Sequence, residues 1–208
     1  MAHDETCGEV ISRTLYDAGV RYAFGHPGGE VVELIDALHR RGIEFILTGH
    51  ETTAAFMAGT VGRLTGIPGV CIATLGPGAC NLVLGVGSAY LDRDPLLAIT
   101  ARTASHRILR SNKQNLPLNT LFEPITKWSV ALNGGALAET IESALMVAST
   151  PPRGSVYLTI PADVATASPT EAPSNTPPDL PVEDDAELET IIQHLNTARR
   201  PIGVIGPA

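Results

Sequence analysis

The sequence predicts an α/β fold, a doubly wound, mostly parallel sheet of about six strands with helices on both faces. Three observations point there. Short apolar runs recur near 21–24, 43–47, 70–74, 95–100, 126–131 and 155–160, with helical patterns between most of them. These runs are continuously apolar rather than alternating, as strands covered on both faces require. Three successive strand ends also open into short loops of unusual backbone chemistry, and right-handed crossovers gather such loops along one edge of a sheet.

The first run, Tyr22-Ala23-Phe24, leads into Gly25-His26-Pro27-Gly28-Gly29 and then a helical pattern at Val31, Leu34, Ile35 and Leu38. The second, Ile43 to Leu47, ends at Gly49-His50-Glu51 and is followed by a small-residue helix from Thr52 to Gly59. Glu51 therefore sits where open α/β sheets bind ligands. An acidic residue in a first helical turn also has a capping explanation, and both readings stand at this point. The third run, Val70 to Thr74, opens into Leu75-Gly76-Pro77-Gly78-Ala79-Cys80-Asn81 and another small-residue helix. Gly76-Pro77-Gly78 shares the G-x-G of a dinucleotide loop, but no G-x-G-x-x-G opens a helix after the first strand, which makes a Rossmann oxidoreductase the weaker reading.

After the fourth run, Pro95 to Thr100, comes a polar, basic stretch reaching Ile125. It contains Arg102, His106, Arg107, Arg110, Asn112, Lys113, Gln114 and Asn115. About twenty residues without clear periodicity exceed an ordinary loop, so the stretch reads either as functional or mobile or as a solvated surface loop.

Composition narrows the classes. A chain of 208 residues, 44% hydrophobic, with mean hydropathy +0.14, can bury the core of one soluble domain plus an extension. A net charge of −8 without a basic cluster argues against nucleic acid or anionic membrane as a partner. No run approaches the roughly 20 apolar residues that cross a bilayer, and Met1-Ala2-His3-Asp4-Glu5 is too acidic to start a signal peptide. The expectation is a cytoplasmic protein. Cys7, Cys71 and Cys80 form no C-x-x-C pair, so neither a disulfide framework nor a zinc site is indicated. They read as small fillers, Cys71 within its strand.

Residues 1–164 are expected to form the domain. Residues 165–186, rich in Pro, Ser, Thr and acids, read as a linker with little to bury. Residues 187–208 carry a helical pattern at Leu188, Ile191, Ile192 and Leu195, then Arg200-Pro201-Ile202-Gly203-Val204-Ile205-Gly206-Pro207-Ala208, which reads as the start of a second α/β domain. A strand without its sheet makes little physical sense, so the chain is expected to be the front part of a longer protein.

His26-Pro27-Gly28-Gly29, Gly49-His50-Glu51 and the run from Ala73 to Asn81, ATLGPGACN, resemble in order and spacing the pyrimidine-binding domain of thiamine-diphosphate enzymes. The likeness is to the acetolactate synthase group and relatives such as benzoylformate decarboxylase. It runs from about Cys7 to Asp163 and includes Asp94 to Thr100, Lys127-Trp128-Ser129 and Gly154 to Asp163. The resemblance implies a 2-oxo-acid carboligase or decarboxylase in which Glu51 shares a proton with the pyrimidine nitrogen of the cofactor, held there largely desolvated. His50 would pack or hydrogen-bond locally.

A flat ring needs close backbone approach, which glycine and proline permit, and the resemblance implies that Pro27, Gly28, Gly29, Thr74, Gly76, Pro77 and Asn81 line the cofactor pocket. Plain turn chemistry would use Gly76-Pro77-Gly78 equally well. His26 and Gln114 are candidates to face the substrate, and Arg102 or Arg107 to bind its acid group. Gln114 matches the Gln of a Phe-Gln pair in the synthases, yet Lys113 precedes it. Thr74 stands where benzoylformate decarboxylase has histidine. Both departures leave the substrate open.

The implied cofactors are thiamine diphosphate and Mg2+. The metal's ligands, a GDG motif and a downstream Asn, are expected outside this chain, which has no GDG; FAD is left open. The implied partners are a small 2-oxo acid, the diphosphate domain of a second subunit, and a homodimer or homotetramer formed through this domain, without which the chain alone would be inactive. The alternative is a non-catalytic dimerisation domain, or a small subunit lending half a site. In that reading the small residues Ala54, Ala55, Ala58, Gly59 and Gly62 permit close helix packing across a dimer.

Overall fold

The computed structural model describes residues 5–108, 110, 114–171, 173, 175–180 and 185–204. The acidic start at 1–4, Asn112, Lys113 and the segment 205–208 lie outside the described residues.

The six predicted strands form one sheet, parallel throughout, in the order β2-β1-β3-β4-β6-β5. They are β1 Tyr22–His26, β2 Glu44–Leu47, β3 Gly69–Ala73, β4 Leu96–Arg102, β5 Trp128–Ala131 and β6 Ser155–Pro161. The continuous apolar runs are explained by burial: every residue of β3 and β6 is buried, whereas β2 and β5, the two edges, are only partly covered. Successive residues of one strand serve opposite faces. Val70 and Ile72 enter one core with α1 Cys7–Asp17, α2 Val32–Arg41 and α7 Leu137–Ser149. Cys71 and Ala73 enter the other with α3 Glu51–Thr65, α4 Pro77–Asn81, α5 Val83–Leu91 and α6 Leu118–Phe122. The doubly wound class is thus observed.

Helix α1 starts in a capping box: Thr6 Oγ1 accepts the Glu9 N–H at 3.3 Å, and Glu9 Oε2 accepts the Thr6 N–H at 2.8 Å. Helix α3 crosses from β2 past β1 to β3 and seats directly on strand backbone. A methyl group at Gly62 would collide with the Pro95 carbonyl, and one at Gly69 with the Ala58 carbonyl. Ala55 likewise meets Gly85 of α5. The small face of α3, expected to pack across a dimer, is therefore used inside the chain, and Ala54, Ala55 and Ala58 are fully buried. The face left outward carries Phe56 and Leu64 instead, 44% and 78% exposed.

The long polar stretch also differs from expectation. Its second half forms α6 and a 3-10 turn Glu123–Ile125, and Phe122 stacks on Tyr157 with ring centroids 3.8 Å apart. A five-residue helix is too short to show a period. The Pro-rich segment expected to bury little begins by docking: Ala165 is buried, the Cys7 and Gly8 N–H groups donate to Ala167 O and Ala165 O, and Thr170 N–H donates to Gly134 O. Helix α8 Asp185–Thr197 exposes Leu188, Ile191, Ile192 and Leu195, and residues 201–204, read as a strand start, are irregular.

Candidate functional site

Strands β1 and β3 lie side by side, with His26 opposite Ala73, so the loops that follow them are neighbours. From β1 the chain leaves toward β2, and from β3 it leaves the opposite way toward β4. The carboxyl ends of two such strands enclose the crevice where open α/β sheets bind ligands. The two loops touch: a methyl group at Gly28 would lie 2.5 Å from Thr74 Cβ. Thr74 Oγ1 donates to Glu30 Oε2 at 2.7 Å and ties the start of α2 to the end of β3.

The edge strand β2 delivers Glu51 to the same crevice. His50, in extended conformation, is the N-cap of α3; its Nδ1 accepts the Thr52 N–H at 3.1 Å. The histidine fills the N-cap position, and Glu51 lies in the first turn of α3. The Glu51 carboxylate, only 7% exposed, accepts from Asn81 Nδ2 at 2.9 Å on Oε2. Among the described residues no hydrogen bond reaches Oε1. A methyl group at Gly78 would sit 3.1 Å from that oxygen and 2.7 Å from Thr74 Cγ2. Asn81 is held at both ends, because its carbonyl accepts from Thr52 Oγ1 at 2.5 Å. The N-terminus of α3 adds a field favourable to the carboxylate charge.

Gly76 has φ +61°, a region that side chains disfavour, and a methyl group there would lie 2.6 Å from Gln114 Cβ. Gln114 itself has φ +55°. The long stretch after β4 thus reaches the third loop through Gln114. Pro77 opens α4 at the surface, where its missing N–H costs nothing.

Glu51, Asn81, Gly78, Thr74, Gly28, Gly76 and Gln114 accordingly form one chain of contacts. His26, Pro27 and Gly29 are exposed beside it. His26 Nδ1–H donates to Thr48 O at 2.9 Å, and a methyl group at Gly29 would meet nothing within 4 Å. Glu30 was missed by sequence reasoning. Its only signal is an acid directly after the Gly-Gly pair, and its partner arrives from another strand.

At the far side of this edge Asp163 accepts the Ser105 N–H at 2.9 Å and lies 3.5 Å from His106 Nδ1. Burial pushes its pKa up, but the hydrogen bonds from Ser105 and His106 outweigh that and hold it below the ordinary carboxylate value.

The sequence has parallels among known proteins. Residues 5–121, more than half of the chain, match the family model "Thiamine pyrophosphate enzyme, N-terminal TPP binding domain". The acetolactate synthase of Bacillus subtilis (strain 168) is 36% identical over 202 residues, which cover 95% of this chain and 35% of that protein. The catabolic acetolactate synthase of Raoultella terrigena is 32% identical over 201 residues, 95% of this chain and 36% of that one. A probable acetolactate synthase large subunit of Methanocaldococcus jannaschii is 38% identical over 157 residues, 75% of this chain and 27% of the other. The chain spans about a third of the length of these relatives.

Proposed function

Since the chain belongs to the thiamine pyrophosphate enzyme family, as its N-terminal TPP-binding domain, we propose that it holds the pyrimidine half of thiamine diphosphate in an acetolactate synthase-like enzyme acting on a 2-oxo acid. The observation that carries the reading is the buried Glu51 carboxylate, one oxygen fixed by Asn81 and the other beside the Cα of Gly78. A desolvated acid with one committed and one available oxygen suits a proton shared with a ring nitrogen. Glycine at 28, 76 and 78 lets the loops close on Thr74, Gln114 and Glu51, where a methyl group would collide, and so builds the walls of the crevice. The fit therefore favours the group, with Glu51 at its nitrogen and Gly28, Thr74, Gly76, Pro77 and Asn81 around its edge. Pro27, Gly29 and His26 form the rim, with His26 and Gln114 toward the substrate.

When bound, the cofactor supplies the nucleophilic carbon that adds to the 2-oxo acid. This chain's residues orient the ring, exclude water and hold the proton at Glu51. The Mg2+ ligands and the diphosphate domain belong, in this reading, to a second subunit. Support for pairing comes from the outer face of α3, where Phe56 and Leu64 are exposed. Cytoplasmic location is part of the proposal and is supported by three unpaired cysteines, two of them buried.

The test is Glu51→Gln in the full-length enzyme, with deuterium exchange at the thiazolium carbon as the readout. A rate reduced at least a hundredfold is expected, and an unchanged rate would refute the assignment.

A further inference from the structure

Arg102 ends β4 at the crevice edge and lines a cavity of about 380 Å³ between β4, β6 and the stretch leading into α6. Its Nε is buried and has no hydrogen-bond partner, and among the described residues no carboxylate lies within 4.0 Å of its guanidinium. Asp163 acts on it only at longer range; burial lowers the Arg102 pKa and the Asp163 charge partly restores it. A guanidinium is not relieved by losing its proton, so a half-buried one with an orphaned N–H lacks an acceptor anion.

The other walls say which anion. Ile108, Leu116, Pro117 and Leu118 are apolar. Two of the polar groups beside them are committed, since Thr159 Oγ1 donates to Asn119 Oδ1 at 2.8 Å and Asn115 Nδ2 donates to Ile108 O at 2.9 Å, which leaves the Thr120 hydroxyl as a neutral neighbour of the guanidinium. One cation, an aliphatic wall and the negative field of Asp163 disfavour a divalent, fully hydrated anion such as phosphate. They suit a planar carboxylate carrying a short alkyl group, matched by the guanidinium fork.

We propose that the Arg102 cavity is a binding site for a small aliphatic monocarboxylate. It adjoins the crevice described above, because Gln114 touches Gly76 while the residues that follow it, Asn115 to Pro117, wall the cavity. The site does not depend on the cofactor reading.

The test is titration of the chain, without thiamine diphosphate, by sodium butyrate, with sodium phosphate and sodium chloride at matched ionic strength as comparisons. Arginine Nε–H resonances are followed by 1H–15N correlation spectra, and Arg102 is assigned by its loss in Arg102→Lys. A saturable shift of the Arg102 signal with butyrate, absent with phosphate and chloride, is expected. Arg102→Gln should weaken the response of the Asn119 side-chain amide at least tenfold. Drift no larger than that of exposed arginines overturns the proposal, as does an equal response to phosphate. Should Arg102→Gln fail to fold, Arg102→Lys must still weaken butyrate binding; unaltered binding there also overturns it. Glu51→Gln is expected to leave the titration unchanged, so failure here is separable from failure of the cofactor assignment.

Discussion

The Asn81 side-chain amide donates to Glu51 Oε2 at 2.9 Å, across 30 residues of sequence. The bond joins the end of α4 to the start of α3 and fixes which carboxylate oxygen remains available. Removing the amide while keeping the acid separates positioning from proton sharing. Hydrogen bonds to charged groups are worth about 1.5–3 kcal/mol. Asn81→Ala should therefore slow cofactor deuterium exchange in the full-length enzyme by roughly ten- to a hundredfold, less than Glu51→Gln. A larger loss from Asn81→Ala than from Glu51→Gln would contradict this order.

Two glycine substitutions should part stability from binding. In Gly78→Ala the new methyl group meets Thr74 Cγ2 and Glu51 Oε1 inside the crevice. Thiamine diphosphate affinity, read by calorimetry on the full-length enzyme, should fall much more than the melting temperature. Gly62→Ala drives a methyl group into the Pro95 backbone, which has no flexible end to move aside. It should cost at least about 3 kcal/mol of stability by overpacking, seen in urea denaturation.

The stacked pair Phe122 and Tyr157 is the anchor for the stretch that carries Gln114. Phe122→Ala should destabilise the chain by about 3–5 kcal/mol. Tyr157→Phe keeps the ring but strands the buried Thr100 hydroxyl, which lies 2.5 Å from Tyr157 Oη. A smaller cost of about 1–2 kcal/mol is expected. Equal losses for the two variants would mean that stacking is not the anchor.

Asp163 gives the chain a specific acid sensitivity. Its folded pKa lies below the ordinary carboxylate value, so it stabilises the fold fully above the unfolded value near pH 4, and that contribution disappears as pH falls through the folded pKa. Wild type should exceed Asp163→Asn in urea midpoint at pH 7, and the gap should narrow as the pH drops to about 3. A gap that widens on acidification would reverse the assigned sign.

What could be read from the sequence follows from how locally each feature is determined. The six strands stood out because burial on both faces demands unbroken apolar runs, and Glu51 stood out because it lies at a strand-to-helix seam. His50, expected to pack or hydrogen-bond locally, does so as the N-cap of α3, accepting the Thr52 N–H. Glu30 was invisible because Thr74 reaches it from 44 residues away, through strand pairing that no local pattern encodes. The alanine and glycine face of α3 signalled close packing, which the alternative reading placed across a dimer, and the partner proved to be β3, β4 and α5 of the same chain.

The seating of α3 on bare backbone carries a mechanical implication. A rod seated with Gly62 on the Pro95 carbonyl and its Ala58 carbonyl on Gly69 has little room to slide or roll to meet an incoming molecule. Its far tip, about 16 Å from Gly62 and about 10 Å from Ala58 at 1.5 Å per residue, therefore keeps its acid at coordinates dictated by the sheet. Any ligand must come to that carboxylate already the right shape, and adjustment is left to the stretch beyond β4.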